Sequence, residues 1–165
     1  DLLKTQSKTC ENGTADLLYY GNQPIDTKWR GFPNYNFALN AEDNSRNIIT
    51  KYQGNIVTGF NGWSNVTDGD DTWGWGDRMA TTPHWCAIQS WDYFKNNYNR
   101  NGCKGNGRNI NVWANWNDAN AQYVSVPGAD VIKVGTITGN YLATSDIIGH
   151  EFTHGVTEFK DGIVY

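Results

Sequence analysis

Short runs of hydrophobic residues, broken by Gly, Asn, Asp and Pro, mark the first third of the chain. Asp16-Leu-Leu-Tyr-Tyr20 meets the turn pair Gly21-Asn22. Thr27-Lys-Trp-Arg30, Tyr35-Asn-Phe-Ala-Leu39, Asn47-Ile-Ile-Thr-Lys-Tyr52 and Asn55-Ile-Val-Thr58 are β-branched and aromatic. The pattern predicts several short antiparallel strands over residues 15–60. Residues 61–82, rich in Gly, Trp and Asp, predict a loop. At Pro83 the period changes: Trp85, Ile88, Trp91, Phe94 and Tyr98 recur at helical spacing. This predicts a helix over about 83–99, capped by Thr81 or Thr82, with an aromatic stripe in the core. Strands at Asn109-Ile-Asn-Val-Trp113, Gln122-Tyr-Val-Ser-Val126 and Asp130-Val-Ile-Lys-Val134 follow, the last two divided by Pro127-Gly128. A second helix over about 144–161 is predicted, with Thr144 or Ser145 as its cap and Gly162 as its stop.

That second helix carries the strongest chemical signal, His150-Glu151-Phe152-Thr153-His154. At 100° per residue from Ile148, the residues Phe159, Phe152 and Val156 fall at about 20°, 40° and 80°, with Gly155 beside them. This is one apolar stripe, and it should face a core. His150 and His154 fall at about 200° and 240°, on the far side, with Glu151 at about 300°. Two imidazoles one turn apart can hold one metal ion through nitrogen ligands that suit Zn²⁺. Glu151 is not placed to be a third ligand on that face, but can accept a proton from water activated there. This is the logic of the His-Glu-x-x-His pattern of zinc peptidases. Two surface histidines flanking a solvated Glu would not require such a segregated apolar stripe.

Composition narrows the function classes. Charged residues make up 18% of the 165 and aromatics 14%, with eight Trp. The net charge is −4 and no basic run occurs, which excludes a nucleic-acid footprint. No apolar run is long enough to span a membrane. Low charge, few Lys and a chain starting at Asp1 fit a processed, secreted product. Cys10, Cys86 and Cys103 are an odd set. The predicted helix, on the order of 20 Å or more long, separates Cys86 from Cys103. Cys10–Cys103 is the preferred pair, Cys10–Cys86 the alternative, and three reduced thiols the third option. Asp68 and Asp70 suit either Ca²⁺ or a plain acidic turn. Trp63, Trp73 and Trp75 suit either a sugar-binding platform or a loop packed on the strands.

Several stretches then resemble, in order, the N-terminal half of a mature thermolysin-like neutral metalloprotease, a gluzincin, over roughly residues 17–165. They are Asp43-Asn-Ser-Arg46, Pro83-His-Trp85, Trp91-Asp-Tyr-Phe94, Asn99-Arg100 and Asn120-Ala121. Most specific is Asp146-Ile-Ile-Gly-His-Glu-Phe-Thr-His-Gly-Val-Thr-Glu158, closed by Gly162-Ile-Val-Tyr165. The resemblance implies an α+β fold: an antiparallel β-rich N-terminal lobe over 1–165, one packed helix, and a C-terminal active-site helix. It implies a secreted zinc endopeptidase acting on peptides and proteins. His150 and His154 would be zinc ligands, Glu151 the catalytic base, Tyr165 an oxyanion donor and Asp146 a calcium ligand. Asn120 and the Ala121 backbone would form a substrate-binding edge strand. Ile147 would wall a pocket for a bulky hydrophobic residue after the scissile bond. A C-terminal lobe would supply the third zinc ligand, a Glu, and most other calcium ligands.

The chain departs from the family at Gln122-Tyr123, where an aromatic residue and Trp are usual. Pro127-Gly-Ala-Asp130 and Asn140-Tyr-Leu142 replace an Asp- and Gly-rich turn and a Phe-x-Pro-Leu loop. Glu158 lies about 12 Å along the helix from His150 and does not complete the ligand set. The reading from another class is a catalytically inert lobe or a protein- or carbohydrate-binding module, which would hold zinc weakly.

Overall fold

Side chains alternating between core and solvent from Asn12 onward draw the chain into a hairpin. Strands β1 (Cys10–Leu17) and β2 (Gly21–Arg30) pair antiparallel in unbroken register from Cys10↔Lys28 to Leu17↔Gly21. Their turn needs left-handed backbone at Tyr19 and at Gly21, which has φ 64°. The computed structural model describes residues 10–31, 33–34, 36–41, 46–53, 63–137 and 140–161. The strand expected at Asn55–Thr58 and the stretch Asp43–Ser45 lie outside these.

β3 (Asn36–Ala38), β6 (Thr67–Asp68) and β7 (Thr72–Trp73) complete a five-stranded sheet in the order β6-β3-β2-β1-β7. β1 to β3 are antiparallel, as the pattern predicts; β6, antiparallel to β3, and β7, parallel to β1, arise within residues 61–82, where the pattern predicts a loop.

The strand expected at 47–52 leaves this sheet. β4 (Ile48–Gln53), β5 (Trp63–Asn65), β8 (Asn109–Trp116), β10 (Ala129–Ile137) and β11 (Asn140–Tyr141) build a second sheet, with β9 (Ala121–Val126) on the outer edge of β10. β4 runs parallel to β8, and β8 parallel to β10. The antiparallel expectation therefore fails at the centre of this sheet. The connection from β4 to β8 contains a helix, and a crossover of that kind returns the chain in the same direction.

Register sets the core. Ile48, Ile110 and Asp130 form one cross-strand row, Thr50, Val112 and Ile132 the next, and Tyr52, Ala114 and Val134 the third. All of these except Tyr52 are buried. Ile48, Ile110, Val112, Ile132 and Val134 pack with residues of α1 (Arg78–Tyr98) and α2 (Ser145–Asp161) in one hydrophobic cluster. Phe94 of α1 stacks on Phe152 of α2 with ring centroids 5.4 Å apart. A second cluster lies against the first sheet, and Tyr20 and Trp85 pack on both.

α1 begins at Arg78, not at Pro83, fed by a 3₁₀ turn at Trp75–Asp77. Thr81 and Thr82 are buried inside it and not caps: Thr81 donates to the Asp77 carbonyl, and Thr82 accepts from the Leu18 amide. Pro83 is tolerated within the helix for the loss of one backbone bond. Ile88 and Trp91 are buried as expected, but Tyr98 is 64% exposed because the last turn overhangs the core. Arg46 ties β2 to α1 by pairing with Asp26 and Asp92.

Cys86 and Cys103 are both buried free thiols, and the Cys10 side chain of the two expected pairings lies outside the described ones. Each is taken up by the hydrophobic cluster around the helices. Asp68 and Asp70 accept from the Asp70 and Thr72 amides, so their carboxylates shape the turn. Trp63 stacks on Trp113 at 4.6 Å, Trp73 is buried and Trp75 is exposed, so the three do not share a platform. Among the described residues no helix is long and apolar enough to cross a membrane.

Candidate metal centre and peptide groove

α2 is fixed at its start by Tyr20. The Ser145 amide donates to the Tyr20 hydroxyl, which in turn donates to the Ser145 hydroxyl. The apolar stripe holds for Ile148, Phe152 and Gly155, all buried, with Val156 half-buried. Phe159 departs from it: it is 56% exposed, with the Arg100 guanidinium 5.9 Å from its ring.

On the opposite side, His150 is exposed and His154 half-buried. Their Nε2 atoms lie 2.9 Å apart, with the rings perpendicular. Two zinc–nitrogen bonds of about 2.0–2.1 Å at a tetrahedral angle would separate the nitrogens by roughly 3.3 Å. The pair therefore fits one shared zinc ion with a shift of a few tenths of an ångström. His150, Glu151 and His154 each offer one ligand-type atom within 4.8 Å of the others. Among the described residues no other such group occurs.

Glu151, only 8% exposed, faces the outer edge of β9. The Tyr123 amide donates to Glu151 Oε2 at 2.7 Å. Because amides of a strand alternate in direction, Ala121 and Ser125 face the same edge as Tyr123. The Ala121 amide takes the Asn120 side-chain oxygen at 2.9 Å. The Asn120 carbonyl accepts from Gly135, and that of Asp118 from Thr136, both at 3.0 Å. A Cβ at Gly135 would lie 1.9 Å from the Asp118 oxygen. Only glycine lets the 117–120 loop close so tightly on β10, and this sets where β9 begins.

Two clefts open on either side of Glu151. One, of about 510 Å³, is walled by Asn120, Ala121, Ile137, Leu142, Ile147 and His150, with Asp146 at its rim. The other, of about 460 Å³, is bounded by Ala121, Gln122, Tyr123, Ser125, His154 and Glu158. The structure thus brings together Asn120, Ala121, Asp146, Ile147, His150, Glu151 and His154. Tyr165 lies outside the described residues. Asp146 is exposed on the first turn of α2. It belongs to no cluster of metal-ligating side chains among the described residues.

The family whose description is thermolysin metallopeptidase, catalytic domain, matches residues 12–158. The chain belongs to the thermolysin metallopeptidase family. It is 32% identical to the transglutaminase-activating metalloprotease of Streptomyces mobaraensis, over 94% of this chain and 20% of that protein. It is also 32% identical to bacillolysin of Brevibacillus brevis, over 71% of this chain and 22% of that protein. The chain spans about a fifth of the length of these curated relatives. Among solved structures it resembles the precursor of protealysin, a metalloproteinase from Serratia proteamaculans. That match has a TM-score of 0.51 and 17% identity, and covers 72% of this chain and 37% of that one. At this identity the likeness speaks for the fold alone.

Within this thermolysin-family lobe, sequence reasoning missed Tyr123 and Asp130 as residues of the site. The Tyr123 hydroxyl donates to Asp130 Oδ1 at 2.8 Å, and Asp130 is fully buried. Burial pushes the Asp130 carboxyl above its ordinary range, opposed by the Tyr123 hydroxyl and the Arg108 charge. Burial likewise raises the Tyr123 phenol, helped by that bond to Asp130. A signal was present: in Asp130-Val-Ile-Lys-Val134, Asp130 shares the alternating face of Ile132 and Val134, which should turn to the core.

Proposed function

We propose that this chain forms the metal-binding lobe of a secreted zinc endopeptidase. The observation that carries the proposal is the pair of histidine Nε2 atoms 2.9 Å apart, with Glu151 beside them and bonded to the outer edge of β9. His150 and His154 hold the zinc. When bound there, zinc supplies Lewis acidity that polarises the scissile carbonyl and acidifies water. An extended peptide lies along the outer edge of β9 and pairs with backbone groups near Ala121. Glu151 accepts the proton of the attacking water and later delivers it to the leaving amine. Tyr165 donates to the developing oxyanion.

The residue after the scissile bond enters the cleft walled by Ile147, Leu142 and Ile137, which favours bulky hydrophobic side chains. Asp146 contributes to a calcium site. A C-terminal lobe of the same protease completes the zinc coordination and the far wall of the groove. Four-coordinate catalytic zinc ordinarily keeps three protein ligands, and α2 offers two.

The test is Glu151→Gln in the full-length protein. Peptide cleavage should fall by a factor on the order of 10³, with one zinc per chain retained. Cleavage at the unaltered rate would remove Glu151 from the role of base.

A further inference from the structure

We infer that Tyr123, anchored by Asp130 and Arg108, is the residue that positions Glu151. The three groups form a clamp running from the buried sheet to the candidate base. The inference deepens the peptidase reading and rests on it only for its activity readout.

One residue is held at three points. Its amide donates to Glu151 Oε2 at 2.7 Å. Its ring is pressed on α2 at Gly155, where a Cβ would come within 2.6 Å of Tyr123 Cε2 and 2.8 Å of Cζ. Its hydroxyl donates to Asp130 Oδ1 at 2.8 Å. Register explains the last contact. Asp130 faces Ser125 across the β9–β10 ladder, so Tyr123 is its diagonal neighbour on the same face.

Asp130 stands in a row with Ile48 and Ile110, and its Oδ2 has no hydrogen-bond partner among the described residues. A carboxyl in such a row is costly unless it is paired. Arg108 supplies an ion pair at 3.7 Å and also hydrogen-bonds the Val126 carbonyl at the end of β9. An apolar residue at 130 would fill this row at lower cost but would leave the phenol without an acceptor. A ring held at its hydroxyl and against the helix cannot pivot about β9. The amide on the same residue therefore stays aimed at Glu151.

The experiment uses the full-length protein, Tyr123→Phe, Asp130→Asn and Asp130→Ala. Hydrogen exchange is read at the amide of position 123, with the Val124 amide as reference because it faces β10. Tyr123→Phe and Asp130→Ala should speed exchange at 123 about ten-fold while leaving 124 unchanged. Asp130→Asn keeps an oxygen acceptor and should stay within about three-fold of the unaltered protein. In peptide cleavage, Tyr123→Phe and Asp130→Ala should lower kcat about ten-fold, with KM and zinc content unchanged. Unchanged exchange at 123 in Tyr123→Phe overturns the clamp. So does equal acceleration at 123 and 124, which would make the pair a brace for the sheet alone. If the unaltered protein cleaves no peptide while position 123 exchanges as stated, the peptidase reading fails and the clamp stands.

Discussion

Glu151 is buried while His150, beside it in sequence, is exposed, and this contrast decides what each residue can do. An imidazole pair reaching the surface through His150 can exchange its mutual contact for a metal. A carboxylate fixed by a backbone amide is held for one geometry. The His-Glu-x-x-His spacing made the first legible in the sequence, because helical period alone puts two histidines on one face. The second was not legible, since Tyr123 reaches Glu151 through its backbone, which no residue type reveals. Gly155 shows the same limit. It reads as a helix-weakening residue, yet a Cβ there would meet Tyr123 Cε2 at 2.6 Å and Cys103 Cβ at 2.8 Å. Gly155→Ala should therefore destabilise the fold by about 1–3 kcal/mol, despite the better helix propensity of Ala. Urea unfolding measures this, and a gain in stability would mean that β9 yields to the helix.

At the scale of elements, both long helices were visible from period, with α2 and the end of α1 placed to within about a residue, but the start of α1 and the exposed last turns were not. The α1 stripe predicted Tyr98 in the core and the α2 stripe predicted Phe159 there; both lie on last turns that extend past the sheet they pack on. Truncation should separate the two environments. Phe152→Ala removes a fully buried ring stacked on Phe94 and should cost about 3–5 kcal/mol. Phe159→Ala should cost under about 1 kcal/mol. Equal losses in denaturant unfolding would place Phe159 in the core after all. Strand direction was the harder problem. Ile48–Gln53 has the same alternation whether it joins β3 or β8, and only the crossover through α1 makes it parallel to β8. The antiparallel reading succeeded where a tight turn links two strands, at β1–β2 and β9–β10, and failed where another element intervenes: α1 between β4 and β8, and β9 between β8 and β10.

At the scale of the whole molecule, the two sheets and α1 meet at His84, which is fully buried. Its Nε2–H donates to the Asp26 carbonyl of β2, so its Nδ1 accepts from the Thr50 hydroxyl of β4. The bond from Thr50 requires the neutral ring, because a protonated Nδ1 can only donate. Burial lowers its pKa from 6.5 to about 4, partly offset by the Asp26 carbonyl and charge. A depressed folded-state value means that the unfolded chain takes up a proton first as pH falls. This stability is complete above about pH 6.5 and is lost on the way down to about pH 4. Unfolding free energy should fall by about 2 kcal/mol between pH 7 and 5 from this group alone. A His84→Gln variant should lack that slope; the same slope in the variant would assign the effect elsewhere.

The central claim is that His150 and His154 together hold one zinc ion at the floor of a peptide groove. Equilibrium dialysis of the full-length protein against Zn²⁺, alongside His150→Ala and His154→Ala, tests it most directly. One tightly held zinc is expected at this site in the unaltered protein, and at least ten-fold weaker binding in each variant. Zinc held equally well after either substitution would contradict it.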